Sequence, residues 1–159
     1  MKTKLVLILI FISQLCIAQV GWQTIDERFR FVMNYKALQT SYFEVSSEMF
    51  KTLAESKEIE PEFKAYIRKL STLKVAQSDS GKLYMNFKTN CDLRKYERLM
   101  MKKDEDGLMS FYKRERKGHP NEFLLISDKV VIYIAGEIDL KSIGEFEQVM
   151  EIAGSAFDM

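Results

Sequence analysis

Residues Glu122–Ile138 read EFLLISDKVVIYIAGEI, and this stretch sets the architecture. Phe123–Ile126 and Val130–Ile134 are apolar runs rich in β-branched and aromatic residues, and only Asp128 and Lys129 separate the strands they imply. Two strands joined by a tight hairpin follow. Just upstream, Lys117-Gly118-His119-Pro120-Asn121 makes a second short connection. Leu108–Arg116 before it reads as a third strand, so the three form an antiparallel meander.

Working towards the N-terminus, Asp104-Glu105-Asp106-Gly107 reads as a turn. Leu83–Met101 reads as mostly helical, with a break near Asn90-Cys91-Asp92, because Leu83, Phe87 and Cys91 recur at helical spacing. Leu73–Ala76 and Ser41–Val45 are short strands. Pro61 suits the first turn of a helix carrying Phe63, Ile67 and Leu70, since its missing N–H costs nothing there. Ser46 or Ser47 caps another helix, with Met49, Phe50 and Leu53 facing inward. Thr24 and Glu27 have the spacing of a capping box ahead of Ile25, Phe29, Val32 and Met33. Downstream of the meander, Leu140 to about Ala153 presents Leu140, Ile143, Phe146, Val149, Met150 and Ala153 as a final helix. The expected order is αβααβαβββα. The expected fold is α+β: one mixed, mainly antiparallel sheet of about five strands with helices packed on one face.

The first eighteen residues differ from the rest. Lys2 and Lys4 precede an apolar run from Leu5 to Ile12, and Cys16-Ile17-Ala18 offers small residues ahead of Gln19. This is the pattern of a signal peptide cleaved between Ala18 and Gln19, leaving residues 19–159 as one domain in the periplasm or at the cell surface. The run is too short to span a bilayer. Lipid attachment at Cys16 is disfavoured because Leu15 stands where a small residue is normal. Cleavage would remove Lys2, Lys4 and Cys16. The formal net charge of +1 then becomes −1, which gives no electrostatic reason to expect nucleic acid as a partner. Cys91 would be the one remaining cysteine, so no disulfide framework is available, and a buried small hydrophobe is the expected role.

The closing element Gly136-Glu137-Ile138-Asp139-Leu140, with Val130–Ala135 before it, resembles the signature end of a family of small exported bacterial proteins, the domain of unknown function numbered 4252. Glu44–Phe50, Leu70–Val75 and Tyr96–Met100 are similar to that family's other elements in type and order, so the resemblance runs from about Gln19 to Ile152. Glu137 departs from the usual Gly-Asp-Ile-Asp-Leu. The resemblance implies an exported protein, secreted or lipid-anchored, with no established activity to transfer. For some members it also implies a link to extracytoplasmic stress signalling.

Residues able to carry chemistry are few. His119, the single histidine, lies in a turn composition and has no second imidazole with which to hold zinc. Glu137 and Asp139 could act as a carboxylate pair in a hydrolase, although Asp139 also suits the N-cap of the last helix. The Asp104–Gly107 turn fails as a calcium loop, because setting Gly107 at the sixth position puts Lys102 and Lys113 where acidic ligands belong. No phosphate loop, dinucleotide fingerprint or paired-cysteine motif occurs, so no cofactor is expected. Charge is the least bland signal: Arg94–Lys117 holds nine basic and five acidic residues, whereas Glu122 onward holds two and eight. Lys113, Arg114, Arg116 and Lys117 at the hairpin rim are therefore the candidate interaction surface. The expected function is a non-catalytic module that binds another envelope protein. Reversing Arg114 and Arg116 is expected to weaken that binding and leave folding intact. The alternatives are the carboxylate hydrolase and a carrier holding an apolar ligand between helices and sheet.

Overall fold

A computed structural model describes residues 23–57, 59–105 and 107–139. The elements are α1 (Ile25–Asn34), a 3-10 turn (Lys36–Leu38), β1 (Ser41–Ser46), α2 (Ser47–Glu55), α3 (Pro61–Ile67), β2 (Leu70–Gln77), α4 (Leu83–Asn90), β3 (Glu97–Asp104), β4 (Gly107–Arg114), β5 (Asn121–Ser127) and β6 (Val130–Gly136). The six strands form one sheet in the order β1-β2-β6-β5-β4-β3, and every neighbouring pair is antiparallel, so the sheet is not the mixed one expected. Among the described residues no helix is long and apolar enough to cross a membrane. The expected final helix from Leu140 lies outside the described residues.

Local signals account for most element ends. The Thr24–Glu27 capping box is complete: Glu27 N–H donates to Thr24 Oγ1 (3.2 Å), and Thr24 N–H donates to Glu27 Oε2 (2.7 Å). Ser46 caps α2 by accepting from Met49 N–H. Pro61 opens α3. At the β5–β6 hairpin, Ser127 Oγ both accepts from Val130 N–H and donates to Val130 O, each at 2.9 Å, which secures the two-residue connection.

Three expectations need correction. Glu97–Asp104 is an edge strand and not the second half of a helix, so the sheet has six strands where about five were expected. Leu83, Phe87 and Cys91 are buried on and just after α4, but no buried helical face continues to the end of the expected helix, where Met100 and Met101 are 44% and 52% exposed. The decisive feature lies downstream. Gly107 has φ 114°, open to glycine but strained for other residues, and this turn lays Met101 opposite Ser110 and Lys103 opposite Leu108. The pairing satisfies a row of β4 backbone groups that a helix would leave without ladder partners.

The second correction is that helices cover both faces. Strand alternation sends Ala76, Tyr112, Leu124, Ile126 and Val131 to one face, where they pack with Ile25, Phe29 and Val32 of α1 and Leu83 and Phe87 of α4. Leu73, Val75, Phe123, Ile132 and Ile134 point to the other face and join Phe50 and Ala54 of α2 and Tyr66 and Ile67 of α3. The sheet is the middle of three layers. Third, Leu70 opens β2 instead of lying on α3, and Met33 and Met49, expected on the inner faces of α1 and α2, are 45% and 53% exposed. Phe29, Phe87, Leu73, Leu83, Leu124 and Ile126 have no exposed surface. Burying each such side chain contributes about 1.5–3 kcal/mol. Phe29 meets Phe87 edge-to-face, with ring centroids 5.1 Å apart.

Cys91 ends α4, where its N–H donates to Phe87 O at 2.9 Å, and its backbone forms a parallel bridge with Gln23. The free thiol is fully buried, and burial pushes its pKa up to about 12. A thiol this enclosed exposes almost no thiolate near neutrality. Iodoacetamide at pH 8 should leave Cys91 unmodified in the folded protein and alkylate it completely in urea, as read by peptide mass spectrometry. Rapid labelling without denaturant would show that the first-face core opens to solvent.

Candidate functional site

Strand geometry divides the basic hairpin rim. Lys113 and Arg114 are successive residues of β4 and project to opposite faces. Lys113 pairs with Glu115 at 2.5 Å. Arg114 stands directly across from Glu122 on β5, with Nη1 3.8 Å from Oε1. Arg116 reaches the same oxygen through Nη2 at 2.7 Å. Glu122 Oε2 accepts from the Tyr96 hydroxyl, and the Arg114 guanidinium lies over the Tyr96 ring, 5.5 Å from its centroid. Burial, followed by the bond to Glu122, raises the Tyr96 pKa; burial and the Glu122 charge raise that of Tyr133.

Glu122 itself is 5% exposed. The two arginines singled out as an outward patch are thus drawn onto a buried carboxylate, and Lys117 remains exposed at the tip. The signal that identifies this cluster is alternation within β5. Glu122 shares its face with Leu124 and Ile126, so a charge in a core row demands a cation opposite, and Arg114 supplies it.

A cleft of about 330 Å3 at the end of β6 brings His119 beside the Glu137 and Asp139 pair, with Lys69, Asn121 and Gly136 also in its lining. Its floor is built from backbone. Glu137 N–H donates to Lys69 O at 2.8 Å, Asn121 Nδ2 donates to Ile138 O at 2.8 Å, and Ile138 is buried in the second-face core. His119, Glu137 and Asp139 are all exposed. The cleft therefore sets His119, Glu137 and Asp139 in an open, solvated lining, unlike the water-excluding sites in which fixed charges act most strongly. Among the described residues no group of three or more His, Cys, Asp and Glu side chains is placed to hold a metal ion. The turn at Gly107 is held by protein groups, with Leu108 N–H donating to Asp128 Oδ2 at 3.0 Å.

A feature missed by the sequence reading lies on the outer surface of the first helical layer. Phe31 and Tyr35 stack at 5.1 Å and are 39% and 47% exposed, and Met85 of α4 is 59% exposed. Tyr35 and Met85 line a hollow of about 390 Å3 with Ala37, Leu38, Asn86 and Thr89. Arg28 ties the two helices beneath it. Its guanidinium donates to Asn86 Oδ1 (2.7 Å from Nε) and to Gln23 Oε1 (3.0 Å), and it lies 4.2 Å from the Phe31 ring centroid. Phe31 and Tyr35 are spaced i, i+4, a signal visible in sequence. Their exposure is not, because Phe29 and Val32 make an equally good inward face.

No curated protein and no solved structure matches the chain. A family model, "Domain of unknown function (DUF4252)", matches residues 35–146, from the end of α1 through all six strands. This chain belongs to the DUF4252 family.

Proposed function

We propose that this protein is an exported, non-catalytic module that binds the exported domain of another envelope protein, in the setting of extracytoplasmic stress signalling. The observation that carries the reading is the exposed apolar group of Phe31, Tyr35 and Met85, with Tyr35 and Met85 lining the hollow between the 3-10 turn and α4 and Phe31 stacked on Tyr35. Large apolar side chains held out from α1, its C-cap and α4 contribute little to folding, and such surface is characteristic of protein contacts. The lead towards stress signalling comes from the family resemblance, and export from the N-terminal pattern. In this reading the contact is on the helical layer instead of the Arg114–Arg116 rim, whose guanidinium groups pair with Glu122.

The test is crosslinking in the native envelope, comparing the natural chain with Tyr35→Asp/Met85→Asp. Both positions are exposed, so the double variant should fold. The expected result is one stoichiometric membrane protein captured by the natural chain and reduced at least tenfold by the double variant. Repeated captures without a specific partner would remove the proposal.

A second reading, a carboxylate-dependent hydrolase, is favoured by the convergence of His119, Glu137 and Asp139 on one cleft. Hydrolysis of a substrate panel that vanishes in Glu137→Gln but persists in Tyr35→Asp/Met85→Asp would replace the first reading with this one.

A further inference from the structure

The hollow between the 3-10 turn and α4 combines apolar walls with hydrogen-bond donors. Tyr35, Leu38 and Met85 supply apolar lining, and Leu38, 2% exposed, is the most enclosed of them. Lys82 and Asn86 supply polar lining. A guanidinium can only donate, so the bonds from Arg28 Nε and Nη2 hold Asn86 Oδ1 on the Arg28 side. Asn86 Nδ2 is thereby turned away from Arg28. Among the described residues neither that amide nitrogen nor the Lys82 ammonium has an acceptor.

The charge around the hollow is one-sided. Arg28–Lys36 and Lys82–Asn90, the stretches that carry Phe31, Tyr35 and Met85, hold five basic residues and no acidic one. Counting Asp79, in the turn before Lys82, the balance is still five to one. Other flanking carboxylates are engaged elsewhere: Asp26 with Lys74 at 2.6 Å, Glu27 with Thr24, and Asp92 with Arg94 at 2.8 Å. Arg28 is 5% exposed, and its acceptors, Asn86 Oδ1 and Gln23 Oε1, are neutral amides, whereas a buried cation normally has an anion beside it. Lys82 is the N-cap of α4 and makes no capping bond there, at the helix end where the dipole disfavours a cation. Its placement gains nothing for folding, and both cations raise the positive potential at the hollow.

We infer that the hollow takes a large apolar side chain from an acidic segment of the partner protein, with a carboxylate of that segment on Lys82 and Asn86 Nδ2. The inference rests on the binding-module reading and adds the chemistry of what binds. Charge complementarity selects the occupant, because the unbalanced cations favour an acidic segment and repel a basic one. A concave hollow of about 390 Å3 suits an inserted side chain, as interface anchors are, better than the flat surface of a bilayer. Lys82 is exposed, so its share of the attraction is screened by salt.

Two crosslinks made with the full chain in its native envelope test it. Carbodiimide joins an ammonium to a carboxylate in contact with it. The expected product links Lys82 to an Asp or Glu of one captured protein, with a large apolar residue within four positions. Photo-crosslinking from benzoylphenylalanine at the exposed Asn34 needs no lysine. There Lys82→Glu should lower capture of that protein at least tenfold, and Lys82→Arg should retain it. Full capture by Lys82→Glu, alongside loss in Tyr35→Asp/Met85→Asp, would overturn the inference and leave the binding-module reading standing. Capture of no protein by the natural chain would end both. A carbodiimide link to a segment without large apolar residues would overturn the inference. So would sedimentation with phosphatidylglycerol vesicles that is lost in Lys82→Glu, since lipid would then be the occupant. Circular dichroism checks folding, and if Lys82→Glu fails to fold, the carbodiimide product of the natural chain decides alone.

Discussion

Arg114→Glu combined with Arg116→Glu is expected to destabilise the fold by about 3–5 kcal/mol, the range found when a buried ion pair loses its partner. Glu122 is 5% exposed and its two nearest cations are these arginines, at 3.8 Å and 2.7 Å. Reversal would leave the carboxylate buried without a cation and bring two more carboxylates beside it. The Arg116 side chain is 43% exposed, so the single change Arg116→Ala should cost less, about 1 kcal/mol. Urea denaturation of the double variant should show a midpoint well below that of the natural chain. Adding Glu122→Arg to the double variant should recover at least half of the loss, which separates electrostatic pairing from damage to packing. Lys117→Glu, at the exposed tip of the same hairpin, should change stability by no more than about 0.5 kcal/mol. A double variant as stable as the natural chain would mean that Glu122 does not depend on the two arginines. The outward-patch reading of Arg114 and Arg116 would then return.

The same residues show what was legible in the sequence. Elements whose signals are local came through: the Thr24–Glu27 box, Ser46 as a cap, Pro61 in a first turn, and the meander from Gly107 to Gly136. What failed were features set by partners distant in sequence. Glu97–Asp104 has the apolar spacing of a helix and becomes a strand because β4 offers an unpaired edge across a glycine turn. Helices on both faces follow from alternation in β2, β5 and β6, whose successive residues are apolar on both sides. That pattern is present in Phe123–Ile126 and Val130–Ile134, and it describes a sheet buried from above and below. The candidate surfaces divide in the same way. Arg114 and Arg116 look exposed until Glu122 is placed opposite, whereas His119 looks unrelated to the Glu137 and Asp139 pair until β6 ends beside the β4–β5 connection. Periodicity indicates which residues face inward. It gives no account of which loops meet.

Gly136→Ala carries the other large expected effect, and it decides what the Gly136–Leu140 element is for. A Cβ built at Gly136 would lie 2.4 Å from Lys69 O, closer than such atoms approach one another, and at a tight 3.0 Å from Leu70 Cα. Both obstacles are backbone, so no side chain can rotate away. The close approach has a clear use, because it lets Glu137 N–H reach Lys69 O at 2.8 Å and brings Ile138 into the core. Adding one methyl group should force β6 away from the start of β2 and cost about 1–3 kcal/mol, as overpacking does elsewhere. Gly136→Val should cost more. Hydrogen exchange gives a local readout: the Glu137 amide should lose at least tenfold of its protection, while amides at the far end of β6, near Val131, change little. That pair of results would identify the element as the latch closing the sheet end, with Glu137 and Asp139 at the cleft rim as its neighbours and not its purpose. Unchanged stability and unchanged protection at Glu137 would mean that the backbone there yields easily. The restriction to glycine would then have to be explained by what enters the cleft, which would move the hydrolase reading ahead of the binding module.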